Sequence, residues 1–179
     1  MTGFGNAFSS AVVNLAGSNV FLVALCTALI SIILGMGLPT TAAYIISMSV
    51  AVPALTTLGV PPLSAHLFVF YFAVVSAITP PVGAAFYTGA SIANAKIMQT
   101  GIQAVRIGIG AFTVPFFFII NPALLLDGAV GQIIISVITA MLGMIAVALA
   151  IQRVTFWGNK ISLWQSLLLF IAFFLLIYP

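Results

Sequence analysis

Acidic side chains are nearly absent from this sequence. Its 179 residues hold one Asp or Glu, Asp127, against four Lys or Arg (Lys96, Arg106, Arg153 and Lys160), so that 3% of residues are charged. A soluble chain carries about 25% charged residues and needs them to hold water at its surface. With 64% hydrophobic residues and a mean hydropathy of +1.37, the sequence describes an integral membrane protein. The scarcity of acids also removes the carboxylate pairs of general acid–base catalysis. One cysteine, Cys26, excludes an internal disulfide and a cysteine metal cluster, and it reads as a small packing or lipid-facing residue. One histidine, His66, leaves no metal quartet and no nucleophile–base pair. The net charge of +3 is too thinly spread for a nucleic-acid surface. An enzyme, an organic cofactor and a nucleic-acid partner are therefore not expected. No basic n-region opens "MTGFGNAFSS", so no signal peptide is expected.

What is abundant is apolar sequence in tracts of helical length, without the roughly ten-residue alternation of barrel strands. Residues 1–18 read as an interfacial segment or the tail of a helix. Residues 19–34 and 41–57 read as two helices around "GMGLP". Each holds about 16 residues, short of the ~20 that a membrane crossing needs. Two short helices around a Gly/Pro tip predict a re-entrant hairpin, 19–58, that enters and leaves the bilayer on one side. A helix over 63–78 meets "TPP" and continues over 82–93, predicting one discontinuous span within 62–95. Further transmembrane helices are expected at about 104–120, 128–151 and 161–178, within a C-terminal region 96–179. Pro39 and Pro81 are expected to open new half-helices, because proline suits the first helical position.

Lys96 and Arg106 lie near one loop and Arg153 and Lys160 in another, two spans apart. The positive-inside rule places both on the cytoplasmic side, with Asp127 and both feet of the hairpin outside. Trp157 and Trp164 flank the second loop as interface anchors. His66 reads as a hydrogen-bonded structural residue, Asp127 as a solvated loop residue, and Arg106 as a positive-inside anchor.

An interrupted helix in lipid exposes backbone groups, each of which costs several kcal/mol if left without a partner. Breaks of this kind are tolerated where they line a cavity. There, carbonyls and hydroxyls suit a small hard cation such as Na⁺, and helix N-terminal amides suit a carboxylate. The candidate Na⁺ ligands are Gly35, Gly37, Thr40, Thr41, Ser76 and Thr79. The candidate substrate contacts are Thr40, Thr41, Thr79, Pro80 and Pro81. The alternative is that these hydroxyls only cap helices or bond back into them.

"LGMGLPTTAAYI", then "GVPPLSAHLFVFYFAVVSAITPPVGAAFYTGASIA" and later "NPALLL", resemble the large membrane subunit of tripartite ATP-independent periplasmic (TRAP) transporters, with the TAXI-type fused permeases most similar. The resemblance covers about residues 2–126. It implies an elevator-type secondary transporter in a bacterial or archaeal cytoplasmic (inner) membrane, with Na⁺ as coupling ion and organic acids (carboxylates) as substrates. A periplasmic binding protein is the implied partner. In the family, two inverted repeats each supply a hairpin and a broken helix. This chain holds one such repeat, 19–95, and is expected to be the C-terminal part, with the remaining permease half as a further partner. A truncated, non-transporting membrane fragment that only associates with partner subunits is the competing expectation.

Overall fold

The computed structural model describes residues 10–12, 14, 17, 19–155 and 158–177. The interfacial segment expected at 1–18 falls mostly outside these residues, and Trp157 wholly so. Among the described residues every named element is helical, and strand pairing is confined to an isolated bridge between Val154 and Lys160. The chain divides into two compact units, 1–104 and 105–179.

The first unit is built on three helices. Helix α1 (Val20–Gly35) opens at Asn19, whose side chain accepts hydrogen bonds from the amides of Phe21 and Leu22. Helix α2 (Thr40–Thr56) returns from it after a four-residue link, and α3 (Pro62–Val75) follows. The link is a type II turn. Met36 sits at φ −60°, ψ 123°, Gly37 at φ +74°, and the Leu38 amide donates to the Gly35 carbonyl at 3.2 Å. Only a residue tolerant of positive φ fits the third position of such a turn, which explains the second glycine of "GMG". At the other end of α2, the Val60 amide reaches Leu55 O and the Gly59 amide reaches Thr56 O, with Gly59 at φ +85°. This is a Schellman closure, and Pro62 at the first position of α3 then restarts the chain as a helix.

Small residues let α1 and α2 approach closely. Thr27, Ser31 and Gly35 recur every fourth residue on α1, and Ala43, Ser47 and Ala51 do so on α2; all six are buried. A Cβ at Gly35 would stand 3.3 Å from the Cβ of Ala43, so the turn end of this seam is already closed. In lipid, where helices gain little from burying apolar area, such close backbone contact supplies the association. The Phe68 and Phe72 rings meet at 57° with centroids 4.8 Å apart, and both are buried, as are Leu55 and Val69.

Beyond α3 the chain tightens into a 3₁₀ turn, Ser76–Ile78, and becomes extended at Thr79. Helix α4 (Ala84–Ile92) resumes after Gly83. Pro81 therefore does not open this half-helix, contrary to expectation. Residues 80–82 form a turn and bend instead. At Gly83 the Ala77 carbonyl oxygen presses so close that no Cβ fits, and the extended Gly83 is the N-cap from which α4 starts.

A second difference concerns the helix expected to begin at about 104. Helix α5 (Ile97–Ile107) starts before that point, and α6 (Ile109–Ile120) follows Gly108. Arg106 thus stands in a last helical turn, where a cation favours the helix dipole, and not at a helix start.

The second unit continues with a 3₁₀ turn, Pro122–Leu125, then α7 (Val130–Gln152) and α8 (Leu163–Ile177). Its core forms around Phe117 and Phe173, edge to face at 5.7 Å, with Gly143 leaving room beneath them. Among the described residues α7 is the single helix long and apolar enough to cross a membrane by itself; α5 and α6 satisfy the same test jointly. Asp127 is an exposed loop residue, and Trp164 is exposed at the start of α8.

Candidate functional site

The end of α1 and the break after α3 meet at one point. Gly35 is buried against Ser76, and a Cβ at position 35 would lie 2.5 Å from Ser76 Oγ and 2.9 Å from its Cβ. Two residues on, a Cβ at Gly37 would touch the Val82 side chain at 3.4 Å. The hairpin turn therefore rests on the interrupted segment 76–82, and glycine at 35 is what permits the contact.

The hydroxyls at the break bond locally. Ser76 Oγ donates to the Ala73 carbonyl at 2.8 Å, and Thr79 Oγ1 to the Val75 carbonyl at 2.7 Å. These bonds turn both hydroxyls back onto carbonyls of the last turn of α3. A hydroxyl that donates its proton keeps its oxygen lone pairs. Ser76 is buried, and its Oγ lies next to Gly35.

Thr40 and Thr41 are the first two residues of α2, half-buried and exposed respectively. Among the described residues neither hydroxyl has a hydrogen-bond partner. The first amides of α2 lack intrahelical carbonyls, and Pro39, its N-cap, has no side chain to satisfy them. The same holds at α4, where Gly83 is the N-cap. Two uncapped helix N-termini thus flank the break, each presenting the positive end of a helix dipole. Pro80 is half-buried and Pro81 exposed, and the Tyr87 hydroxyl donates to the Pro81 carbonyl at 3.3 Å.

The structure adds residues that the sequence did not single out. A Cβ at Gly101 on α5 would collide with Pro80 at 2.8 Å and with the Phe86 ring at 3.0 Å. Gly83 closes onto Ala77 as described. Tyr44 bonds His66 at 2.8 Å between Oη and Nδ1 and packs edge-on against Phe70. Spacing along the chain carries no trace of these pairs; the closest available signal was a glycine in each otherwise helical stretch. His66 is hydrogen-bonded, as a structural imidazole should be.

Among the described residues no three His, Cys, Asp or Glu side chains gather into a metal-binding group. Any cation at the break would be held by neutral hydroxyl and carbonyl oxygens, a donor set for a hard monovalent ion.

No curated protein and no solved structure matches this chain. A family model does, over residues 1–133, described as tripartite ATP-independent periplasmic transporter, DctM component. That match spans the hairpin, the break and "NPALLL", and the chain belongs to this family of transporter permease components.

Proposed function

We propose that this chain forms one half of an inverted-repeat, elevator-type permease core, of the TAXI-type branch. It couples Na⁺ entry to uptake of organic acids across a bacterial or archaeal cytoplasmic membrane. A periplasmic binding protein delivers the carboxylate, and the other permease half supplies the opposing wall of the cleft. The hairpin, 19–58, is re-entrant, and 62–95 is a discontinuous span. The observation that carries this reading is the seating of Gly35 on Ser76, which joins a hairpin turn to an interrupted helix.

In this reading Na⁺ is held by the carbonyls of Gly35 and Gly37 and the hydroxyls of Thr40, Thr41, Ser76 and Thr79. The carboxylate faces the amides at the start of α2 and the Thr79–Pro80–Pro81 wall, where helix dipoles and threonine hydroxyls favour an anion. Membership of a transporter family and the lack of an acid–base pair both speak for a non-enzymatic role.

The test is uptake of a labelled dicarboxylate into vesicles that carry the complete assembly. Thr79→Ala should raise the half-saturating Na⁺ concentration about tenfold, the effect of losing ~1.4 kcal/mol of binding. Gly37→Leu should abolish uptake. Unchanged Na⁺ dependence in both variants would overturn the site. An assembly without Na⁺-driven flux would favour the non-transporting membrane module.

A further inference from the structure

The second unit carries a groove that the transport reading does not use. It has a volume of about 420 Å³ and runs along the last turns of α7. Gly110, Met144, Ile145, Ala148 and Leu149 are among its apolar lining residues. Ile107 and Val154 stand at its edge, and Gln152 and Thr155 are its polar lining residues. The size falls within the ~300–1,000 Å³ typical of small-molecule sites.

Three cations are neighbours of lining residues, two along the chain and one across a bridge. Arg106 precedes the lining residue Ile107. Arg153 lies between Gln152 and Val154, at the left-handed C-cap of α7. Lys160 pairs with Val154 across an antiparallel bridge closed by Ile161 N to Arg153 O at 2.9 Å. Residues directly opposite in such a pair face the same side, so Lys160 shares the face of Val154. All three cations are exposed, and among the described residues none has an ion-pair partner. The sole acid, Asp127, precedes the far end of α7, whose 23 residues span roughly 34 Å.

Depth supports the same conclusion. Helix α7 is long enough to cross the hydrocarbon, so its last turns reach one membrane interface. Exposed Trp164, on the first turn of α8 beyond the basic loop, belongs to the same end, where interfacial tryptophans gather. An apolar groove whose lining residues have unpaired cations as neighbours at this level matches one acyl chain joined to one phosphate.

We propose that the groove binds an anionic phospholipid. One acyl chain lies against Met144, Ile145 and Leu149, and the phosphate is held by Arg106, Arg153 and Lys160. The cations select lipid charge and the groove selects a chain. Zwitterionic lipids fill the groove without the same retention.

The experiment is native mass spectrometry of the detergent-purified full chain, titrated with phosphatidylglycerol or with phosphatidylcholine of the same chains. Phosphatidylglycerol should be retained at least tenfold more tightly. Each of Arg106→Gln, Arg153→Gln and Lys160→Gln should weaken it about fivefold, the effect expected for one basic residue near an anionic lipid. Gly110→Leu with Ala148→Leu should fill the groove and reduce retention of both lipids while circular dichroism stays unchanged. Equal retention of the two lipids by the unaltered chain would overturn the proposal. So would an unaltered preference in all three charge variants. Glycerophosphoglycerol, which has no chains, should fail to displace the lipid; displacement at equal concentration would show that the groove takes no chain.

Discussion

Tyr44 Oη and His66 Nδ1 lie 2.8 Å apart, joining the second turn of α2 to the first turns of α3 across 22 residues of sequence. The hydrogen bond is one of the few polar ties between these helices, which are otherwise held by apolar contact. Both residues are half-buried, so the bond is partly shielded from competing partners.

Tyr44→Phe should therefore cost about 1 kcal/mol, the net worth of a hydrogen bond whose partner is left behind. The edge contact with Phe70 would survive, since the ring remains. His66→Ala should lower the detergent melting temperature similarly. The double variant should lose clearly less than the sum, because residues in one bond are not additive. Additive losses would show that the two groups do not support one another.

Gly35→Ala should destabilise the first unit by about 1–3 kcal/mol, the usual cost of overpacking. It should also abolish transport by the complete assembly, because the added methyl has no space beside Ser76. Ser76→Gly removes both atoms that the methyl would strike. Gly35→Ala combined with Ser76→Gly should thus recover thermal stability, even where Na⁺ affinity is not restored. Melting temperature read alongside Na⁺-dependent uptake separates the two effects.

Ser31 and Ser47 are fully buried on the α1–α2 seam, and among the described residues their hydroxyls have no hydrogen-bond partner. A buried unsatisfied hydroxyl costs about 1–3 kcal/mol. Ser31→Ala and Ser47→Ala should each leave stability unchanged or raise it. Ser31→Leu should disrupt the hairpin, because the seam admits small side chains only. A melting temperature lowered by several degrees in either alanine variant would contradict this account.

Asn121 ties the second unit together at "NPALLL". Its Nδ2 donates to Ser136 Oγ at 2.8 Å, and its Oδ1 accepts from the Ala123 amide at 3.1 Å. Asn121→Ala removes both bonds and should cost about 2 kcal/mol. Asn121→Asp keeps the acceptor that caps the 3₁₀ turn and loses the donor, so it should cost less. Chemical denaturation in detergent would order the three proteins.

Much of the local structure was legible in the residues. "GMGL" requires a turn with positive φ at its third position, and Gly37 supplies it. "LGVPP" encodes a Schellman closure followed by a proline start, and both occur. The half-helix start was misread at Pro81, because α4 begins only after Gly83, where the close Ala77 carbonyl admits no side chain. The helix expected from about 104 starts earlier, at Ile97, and Thr100 and Gly101, both weak helix formers, hid that start. There the absence of a side chain at Gly101 lets α5 close onto Pro80 and Phe86, and packing outweighs propensity.

Composition alone determined that this is a membrane protein of helices. One acid and four Lys or Arg in 179 residues cannot clothe a soluble surface, and interrupted apolar tracts cannot sit in lipid without internal partners. The motif residues also sufficed to place the chain among TRAP permease components. Tertiary structure alone decided that Gly35 meets Ser76, that Tyr44 meets His66, and that Lys160 shares a face with Val154. Such pairs depend on how helices cross and how a loop folds back. Local sequence sets which face a helix buries, but the partner of that face is chosen by the shape of a distant segment.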